Sequence, residues 1–359
     1  MLRANSLQDM TENKHPLQYV RPNILALAPY STARDDYQGG DISVWLDANE
    51  SPYENGVNRY PDPHQKALKA LISEIKGIGV EQIFVGNGSD EAIDLCFRIF
   101  CRPGIDNAVA ITPSYGMYEV AAATNDVALR QVALNTDDFS LPTERLLAAC
   151  DEHTKLLWIC SPNNPTGNAF PLSQLEELAE RFNGMLVVDE AYADFSDKGS
   201  LLATMERHEN LIILQTLSKA WGMAGLRLGL AFAHQEVAAL FARVKYPYNV
   251  NGPTQRAVME RLRAGVDAQI AEIRSERERL AKVLPTIGIV ERVFPSDANF
   301  FLIKTPDATR VYEALVRQGI IVRNRNSMTG CQGCLRITIG TPEENNRLIN
   351  TLKSITHEI

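Results

Sequence analysis

One alternation constrains this chain more than any other feature. Short apolar runs at 82-QIFVG-86, 108-AVAIT-112, 156-LLWIC-160, 185-MLVVD-189, 211-LIILQT-216 and 228-LGLAF-232 are separated by stretches that read as helix or turn. Near-continuous apolar runs of this length suit strands buried on both faces. Between two of them, 172-LSQLEELAERFN-183 places Leu172, Leu175, Leu178, Ala179 and Phe182 on one helical face. Buried strands spaced by amphipathic helices predict a mostly parallel sheet covered by helices on both sides, an α/β fold. A helix over 65–75, a helix centred on 117–124 and a short strand near 127–134 complete the pattern, with a further strand expected at 42-ISVWL-46.

The character changes after Asn249. One long helical stretch is expected over about 254–290, where 274-RSERERLA-281 reads as solvated helix surface. A second α/β unit follows, with strands at 299-NFFLI-303, 320-IIV-322 and 335-LRITI-339 and helices at 307–318 and 343–356. A length of 359 residues suits two domains. The expected division is a large domain at 46–255 and a smaller one built from 1–45 plus 256–359, the first twenty residues being a polar lead-in.

Composition excludes some functions. A formal net charge of -8 argues against nucleic acid as the main partner, because a phosphate footprint needs many unpaired cations. It leaves room for a small anionic substrate held by a few arginines in a cleft. The N-terminus has no apolar signal-like region, and no run of 18 apolar residues occurs, so a cytoplasmic protein without a membrane span is expected. Six cysteines are too sparse for a disulfide scaffold in a chain this long. Cys96 and Cys160 read as buried small hydrophobes, and Cys331 and Cys334 as a turn with two free thiols. The six histidines show no metal-ligand spacing, and His208, in 206-ERHEN-210, is expected to face solvent; no metal is expected.

In parallel α/β sheets, ligands sit outside the carboxyl ends of the strands. Several chemically capable residues fall there. Asp189 closes the run 185–189, with Tyr192 just beyond. Its carboxylate suits a protonated ring nitrogen, although it could equally cap the next element or bind a metal. Lys219 lies thirty residues later, after the run 211–216. In a packed cleft its amine would lose its proton more readily than in water and could attack an aldehyde. Ser218 and Arg227 beside it can bind phosphate. In 86-GNGSDEA-92 a strand turns into a helix, whose free N–H groups bind anions, with Gly88 allowing the turn and Ser89 capping the helix or touching phosphate. The carboxylates of Asp90 and Glu91 would repel phosphate, so they are expected to face elsewhere. The spacing is not that of a dinucleotide loop. Tyr115 can stack on a flat ring or simply pack in the core. Asn164 and Tyr192 could donate to a phenolic oxygen. Arg323, Arg325 and Arg336, in the second unit, match carboxylate or phosphate, or are surface charge.

The segments 161-SPNNPTG-167, 188-VDEAY-192, 218-SKAWGMAGLRLG-229 and 335-LRITIG-340 together resemble the fold-type I, class I/II aminotransferases, from about Asn23 to the C-terminus. Within them, 28-APYSTAR-34, 46-LDANESPY-53, 59-RYPDP-63, 86-GNGSDE-91 and 320-IIVRNRN-326 are most similar to the histidinol-phosphate aminotransferase family. The resemblance implies a pyridoxal 5'-phosphate-dependent transferase fold with a large cofactor domain and a smaller C-terminal α/β domain. It implies reversible transfer of an amino group between L-histidinol phosphate and 2-oxoglutarate, giving imidazole-acetol phosphate and glutamate, in histidine biosynthesis. Lys219 would form the Schiff base and shuttle the proton, Asp189 would face the pyridine nitrogen, Tyr115 would stack on the ring, and Asn164 and Tyr192 would donate to its phenolate. Ser89, Asp90 (through its backbone N–H), Ser218 and Arg227 fall in the cofactor-phosphate region, with Glu91 and Thr216 also counted as cofactor contacts. Tyr30, Asn49, Tyr60, Arg323 and Arg336 match substrate positions, Arg336 as the carboxylate clamp, and Tyr60 reaches the neighbour's site in a homodimer.

Three departures stand out. The chain has 49-NESP where many relatives have NENP, Asn324 stands where an aspartate is common, and the loop 327-SMTGCQGC-334 is expected to be reshaped around its cysteines. Related activities with the same cofactor site are an aromatic amino-acid aminotransferase and a threonine-phosphate decarboxylase.

Overall fold

The structure, a computed structural model, describes residues 14–32 and 43–356. The expectations placed on 1–13 and 33–42 lie outside the described residues. A 3-10 turn and the short helix α1 (Pro22–Leu25) open the described chain, followed by α2 (Lys66–Lys76). The large unit then alternates as the apolar runs predict: β1 (Ile83–Asn87), α3 (Ser89–Phe100), β2 (Asn107–Thr112), α4 (Met117–Thr124), β3 (Ala128–Ala133), α5 (Thr143–Ala148), β4 (Thr154–Cys160), α6 (Leu172–Arg181), β5 (Met185–Asp189), β6 (Leu211–Thr216), β7 (Leu228–Ala233) and α7 (Gln235–Val244).

These seven strands form one sheet in the order β1-β7-β6-β5-β4-β2-β3. All neighbours are parallel except β7, which runs antiparallel to both β1 and β6. Side chains alternate between two cores. Leu157, Ile159, Leu186 and Val188 enter one, while Leu156, Trp158, Met185 and Val187 enter the other. Burial on both faces explains why these runs are apolar throughout. On α6, Leu175 and Leu178 are fully buried, each worth about 2 kcal/mol against exposure.

Helices α8 (Gly252–Ala264) and α9 (Asp267–Val283) replace the single long helix expected over 254–290. Gly265, with φ of 69°, ends the first of them in a conformation that no helix interior adopts. The C-terminal unit holds β8 (Arg292–Val293), β9 (Phe300–Lys304), α10 (Ala308–Arg317), β10 (Arg323–Asn324), β11 (Cys334–Thr338) and α11 (Pro342–Ile355). Its sheet, β10-β11-β9-β8, is antiparallel throughout. Here too the pleat sorts the side chains. Phe301, Ile303, Leu335 and Ile337 pack with the helices of the unit, whereas Phe300, Leu302 and Cys334 join the core of the large unit. Arg336 therefore lies on the face turned toward the large sheet.

Other expectations change. Residues 43–46 form no strand, and the strand expected at 320–322 is instead 323–324, where the backbone meets β11. His208 is only 8% exposed, because the turn that carries it is tucked in just ahead of the buried β6. The described lead-in packs on the large unit rather than the small one. Lys14 donates to the carbonyls of Ala179 and Phe182 at the end of α6, and Tyr19 donates to Asn183 at 2.8 Å. A cation at the carboxyl end of a helix satisfies orphan carbonyls and its dipole together. Among the described residues no helix is long and apolar enough to cross a membrane.

Candidate active site

The sheet topology brings the chemistry to one edge. β2, β4, β5 and β6 are parallel, and β1, two antiparallel steps from β6, points the same way. Their carboxyl ends deliver Ser89 and Asp90, Tyr115, Asn164, Asp189, and Ser218 with Lys219. Because β7 runs backwards, its start lies at that edge too, and Arg227 arrives there immediately before Leu228.

Asp189 is buried at 3% exposure. Tyr118 donates its hydroxyl to Oδ2 at 2.7 Å, and the Ala191 amide donates to Oδ1 at 3.1 Å. Burial raises this carboxyl from 3.8 to about 6, with the two hydrogen bonds and the Lys219 charge opposing the rise. Such a group holds a cationic partner far better than it holds a naked charge.

An anion cradle lies beside it. Helix α3 begins after Gly88, whose φ is 79°, and no side chain caps its first amides. Free amides at a helix start favour a bound anion. β7 crosses this turn at close range: a Cβ on Gly229 would lie 2.0 Å from the Ser89 nitrogen. Asp90 accepts from Tyr115 Oη at 3.1 Å and from Arg227 at 3.4 Å, so its carboxylate orients those two side chains. Glu91 does not belong here by its side chain, because it accepts from Asn249 and from the Asn87 amide. Thr216 acts within its own turn, its hydroxyl accepting from the Ser218 amide at 3.1 Å.

Lys219 stands 5.8 Å from the centre of the Tyr192 ring. Desolvation by the cleft walls, then the positive charge of Arg336, lowers its pKa, which favours the neutral amine. Tyr192 is buried edge-on against Phe300, 5.1 Å between ring centres, and burial raises its phenol pKa, so it remains a donor. Asn164 accepts a hydrogen bond from Arg336 Nη1 at 2.5 Å, which leaves its own N–H groups free to donate elsewhere.

The small sheet contributes cations. Arg323 and Arg336 are cross-strand partners, so both project from the same face. Arg325 is close enough to both that burial and their charges lower it to about 10. The Nε atoms of Arg325 and Arg336 are buried without a partner among the described residues. Three arginines held together with no carboxylate in ion-pair range among the described residues form a receptor for anions. Tyr30 and Tyr60 are held at the surface instead. Tyr30 is 73% exposed, and Tyr60 stacks on Tyr248 with centres 4.3 Å apart. Asn49 has a φ of 54° in the loop just ahead of Tyr60, and its neighbour Glu50 accepts from the Tyr60 amide at 2.6 Å.

Sequence reasoning left out two supports of the site. Asn163, fully buried, donates to Pro113 O at 2.9 Å and accepts from Ser114 at 2.9 Å, locking the loops that carry Tyr115 and Asn164 together. Tyr118 was placed only in a helix. No local pattern marks its hydroxyl, because Tyr115 lies ahead of α4, which begins at Met117.

Residues 33–352 match the model of the family described as aminotransferase class I and II. The chain is 49% identical over 338 residues to a histidinol-phosphate aminotransferase of Bacteroides thetaiotaomicron, covering 94% of this chain and 97% of that protein. A solved histidinol-phosphate aminotransferase from Clostridium acetobutylicum shares the fold, with a TM-score of 0.77 at 24% identity over 84% of this chain and 92% of that one. Another, from Sinorhizobium meliloti in complex with pyridoxal-5'-phosphate, gives 0.76 at 23% identity, covering 84% and 83%.

Proposed function

The chain belongs to the class I and II aminotransferases, and from that premise we propose that it transfers an amino group reversibly between L-histidinol phosphate and 2-oxoglutarate, giving imidazole-acetol phosphate and L-glutamate, a step of L-histidine biosynthesis. The observation that carries the reading is the convergence of Lys219, Asp189 and the uncapped start of α3 at one sheet edge, faced by arginines of the small sheet, of which Arg325 and Arg336 each keep a buried Nε without a partner among the described residues. This donor set fits pyridoxal 5'-phosphate. The α3 amides, Ser89, Ser218 and Arg227 would hold its phosphate, Asp189 its ring nitrogen, Asn164 and Tyr192 its phenolic oxygen, and Tyr115 one ring face. When bound, that group supplies an aldehyde for amines and a ring that accepts electrons.

The protein's part is positioning and proton transfer. Lys219, its proton affinity lowered by desolvation in the cleft, takes the proton from the α-carbon of the amino donor and returns it when the oxo acid is aminated. Asp189, anionic beside a cationic ring nitrogen, maintains the charge that draws electrons from the reacting carbon. Arg336 takes the carboxylate of glutamate, and Arg323 with Arg325 takes the phosphate of the alternate substrate, so one cleft serves two anions. The enzyme is a cytoplasmic homodimer in this reading, with Tyr60 of each subunit reaching its neighbour's site. The exposed apolar surface around Leu46, Tyr53, Val57 and Tyr60 supports that contact.

Borohydride reduction of cofactor-loaded protein should fix the label on Lys219. Steady-state rates with 2-oxoglutarate should favour histidinol phosphate over phenylalanine and tyrosine. Faster turnover of the aromatic amino acids, or CO2 release from threonine phosphate, overturns the substrate assignment.

A further inference from the structure

The aminotransferase reading explains the ring of Tyr118 as core but leaves its hydroxyl without a purpose. Tyr118 is 1% exposed on α4. Its ring stacks on Trp158 with centres 4.9 Å apart, and Trp158 stacks in turn on Phe97 at 5.4 Å. Phenylalanine would serve that stack as well. The hydroxyl instead donates to Asp189 Oδ2 at 2.7 Å, the shorter of the two hydrogen bonds that this carboxylate receives. Cys160, the register partner of Asp189 on β4, lies beside the same hydroxyl and gives its own thiol to Pro162 O.

We infer that Tyr118 is a positioning residue that fixes the Asp189 carboxylate and sets its proton affinity, and through it the protonation of the cofactor ring nitrogen. The inference rests on the reading that Asp189 faces that nitrogen. The groups acting on Asp189 are Tyr118 from α4, the Ala191 amide, Asp90 from α3, Lys219 beyond β6, Cys160 on β4, and Tyr115 and Tyr192 in the loops after β2 and β5. Cys160 from β4 faces Tyr118. Burial and the carboxylate hold the Tyr118 phenol well above its usual range, so it stays a donor at every working pH. A donor lowers the basicity of the carboxylate it serves. Without it, Asp189 becomes the stronger base, and the proton shared with the ring nitrogen moves toward the carboxylate. A ring with less positive charge draws electrons less strongly, and the nitrogen that joins it to Lys219 becomes more basic.

The test is Tyr118→Phe in the holoenzyme, which removes one oxygen and keeps the stack. The pH midpoint of the bound cofactor's visible absorbance should rise by about half a unit or more, and kcat should fall about tenfold with KM changed less than about twofold, the size expected for one hydrogen bond to a charged group. Trp158→Phe, which disturbs the stack and leaves the hydroxyl, should lower the melting temperature without moving the midpoint. An unshifted midpoint in Tyr118→Phe, or an equal shift in Trp158→Phe, overturns the inference. A wild-type chain that shows no cofactor absorbance overturns the reading of the site, and the inference with it.

Discussion

Arg336 and Asn164 are joined by a hydrogen bond that crosses from one sheet to the other. Arg336 sits on β11 of the antiparallel sheet, and Asn164 in the loop that follows β4 of the parallel sheet. The same guanidinium lies 5.2 Å from the Phe300 ring and shares its face with Arg323. One side chain thus links the small unit to a residue at the mouth of the large one. A carboxylate arriving in the cleft would take over part of the bond that Asn164 now accepts.

Arg336→Lys tests that arrangement. Lysine keeps the charge but loses the planar fork that reaches two oxygens and Asn164 together. The kcat/KM for glutamate should fall about 10–100-fold, corresponding to about 1.5–3 kcal/mol for lost hydrogen bonds to a charged group. A value within twofold of wild type would remove Arg336 from substrate binding.

Lys219→Ala should abolish covalent trapping by borohydride while leaving phosphate contacts to retain cofactor. Loss of the proton-transferring amine is expected to lower kcat by at least about 10³-fold. Intact-mass measurement after reduction reads the first effect and single-turnover rates the second. Trapped cofactor on another lysine would show that the wrong amine has been assigned.

Asp189 gives a pH signature in cofactor-free protein. Its folded value, about 6, exceeds the ordinary 3.8, so the folded state binds the proton more tightly than the unfolded one. Stability is then greatest below the lower value and declines as pH rises through about 6, by up to about 3 kcal/mol. Asp189→Asn cannot ionise and should lack that decline. Urea unfolding from about pH 4 to pH 7 measures the difference, and parallel curves for the two proteins would refute it.

Gly229→Ala places a Cβ 2.0 Å from the Ser89 nitrogen and 2.3 Å from the Gly88 carbonyl carbon, both backbone atoms. Backbone cannot swing aside as a side chain does, so β7 or the start of α3 must shift. Overpacking of this kind costs about 1–3 kcal/mol or more, and the cofactor phosphate should bind at least about tenfold more weakly. Calorimetry and equilibrium cofactor titration report the two consequences separately, and unchanged values would mean that the contact relaxes freely.

Tyr60 gives a test of the dimer. If it completes the neighbour's site, Tyr60→Ala and Lys219→Ala subunits are each inactive alone, yet a mixed dimer holds one intact site. Random exchange should restore about a quarter of wild-type activity. No recovery after verified subunit exchange would confine Tyr60 to its own subunit.

Much of this molecule was legible before folding. The apolar runs became β1, β2, β4, β5, β6 and β7 because strands buried on two faces are mostly apolar. The residues just past them, Tyr115, Asn164, Asp189 and Lys219, were legible as a group because each follows such a run. Glu91 was harder to read. Its place in the phosphate segment suggests a cofactor contact, but one helical step turns its side chain toward Asn249. His208 looked solvated from its polar neighbours, yet long-range packing buried it.

The sequence by itself determined the buried strands of the large unit and the residues just past their ends, since periodicity, glycine and proline act over a few neighbours. Tertiary structure alone decided the reversal of β7, which returns Arg227 to the edge where Lys219 lies. It also decided the bond from Arg336 to Asn164 and the hydroxyl of Tyr118 against Asp189, contacts spanning 172 and 71 residues. Such pairings depend on strand order and on which face of a pleat or helix is buried. Those are properties of the whole packed chain, and no local pattern encodes them.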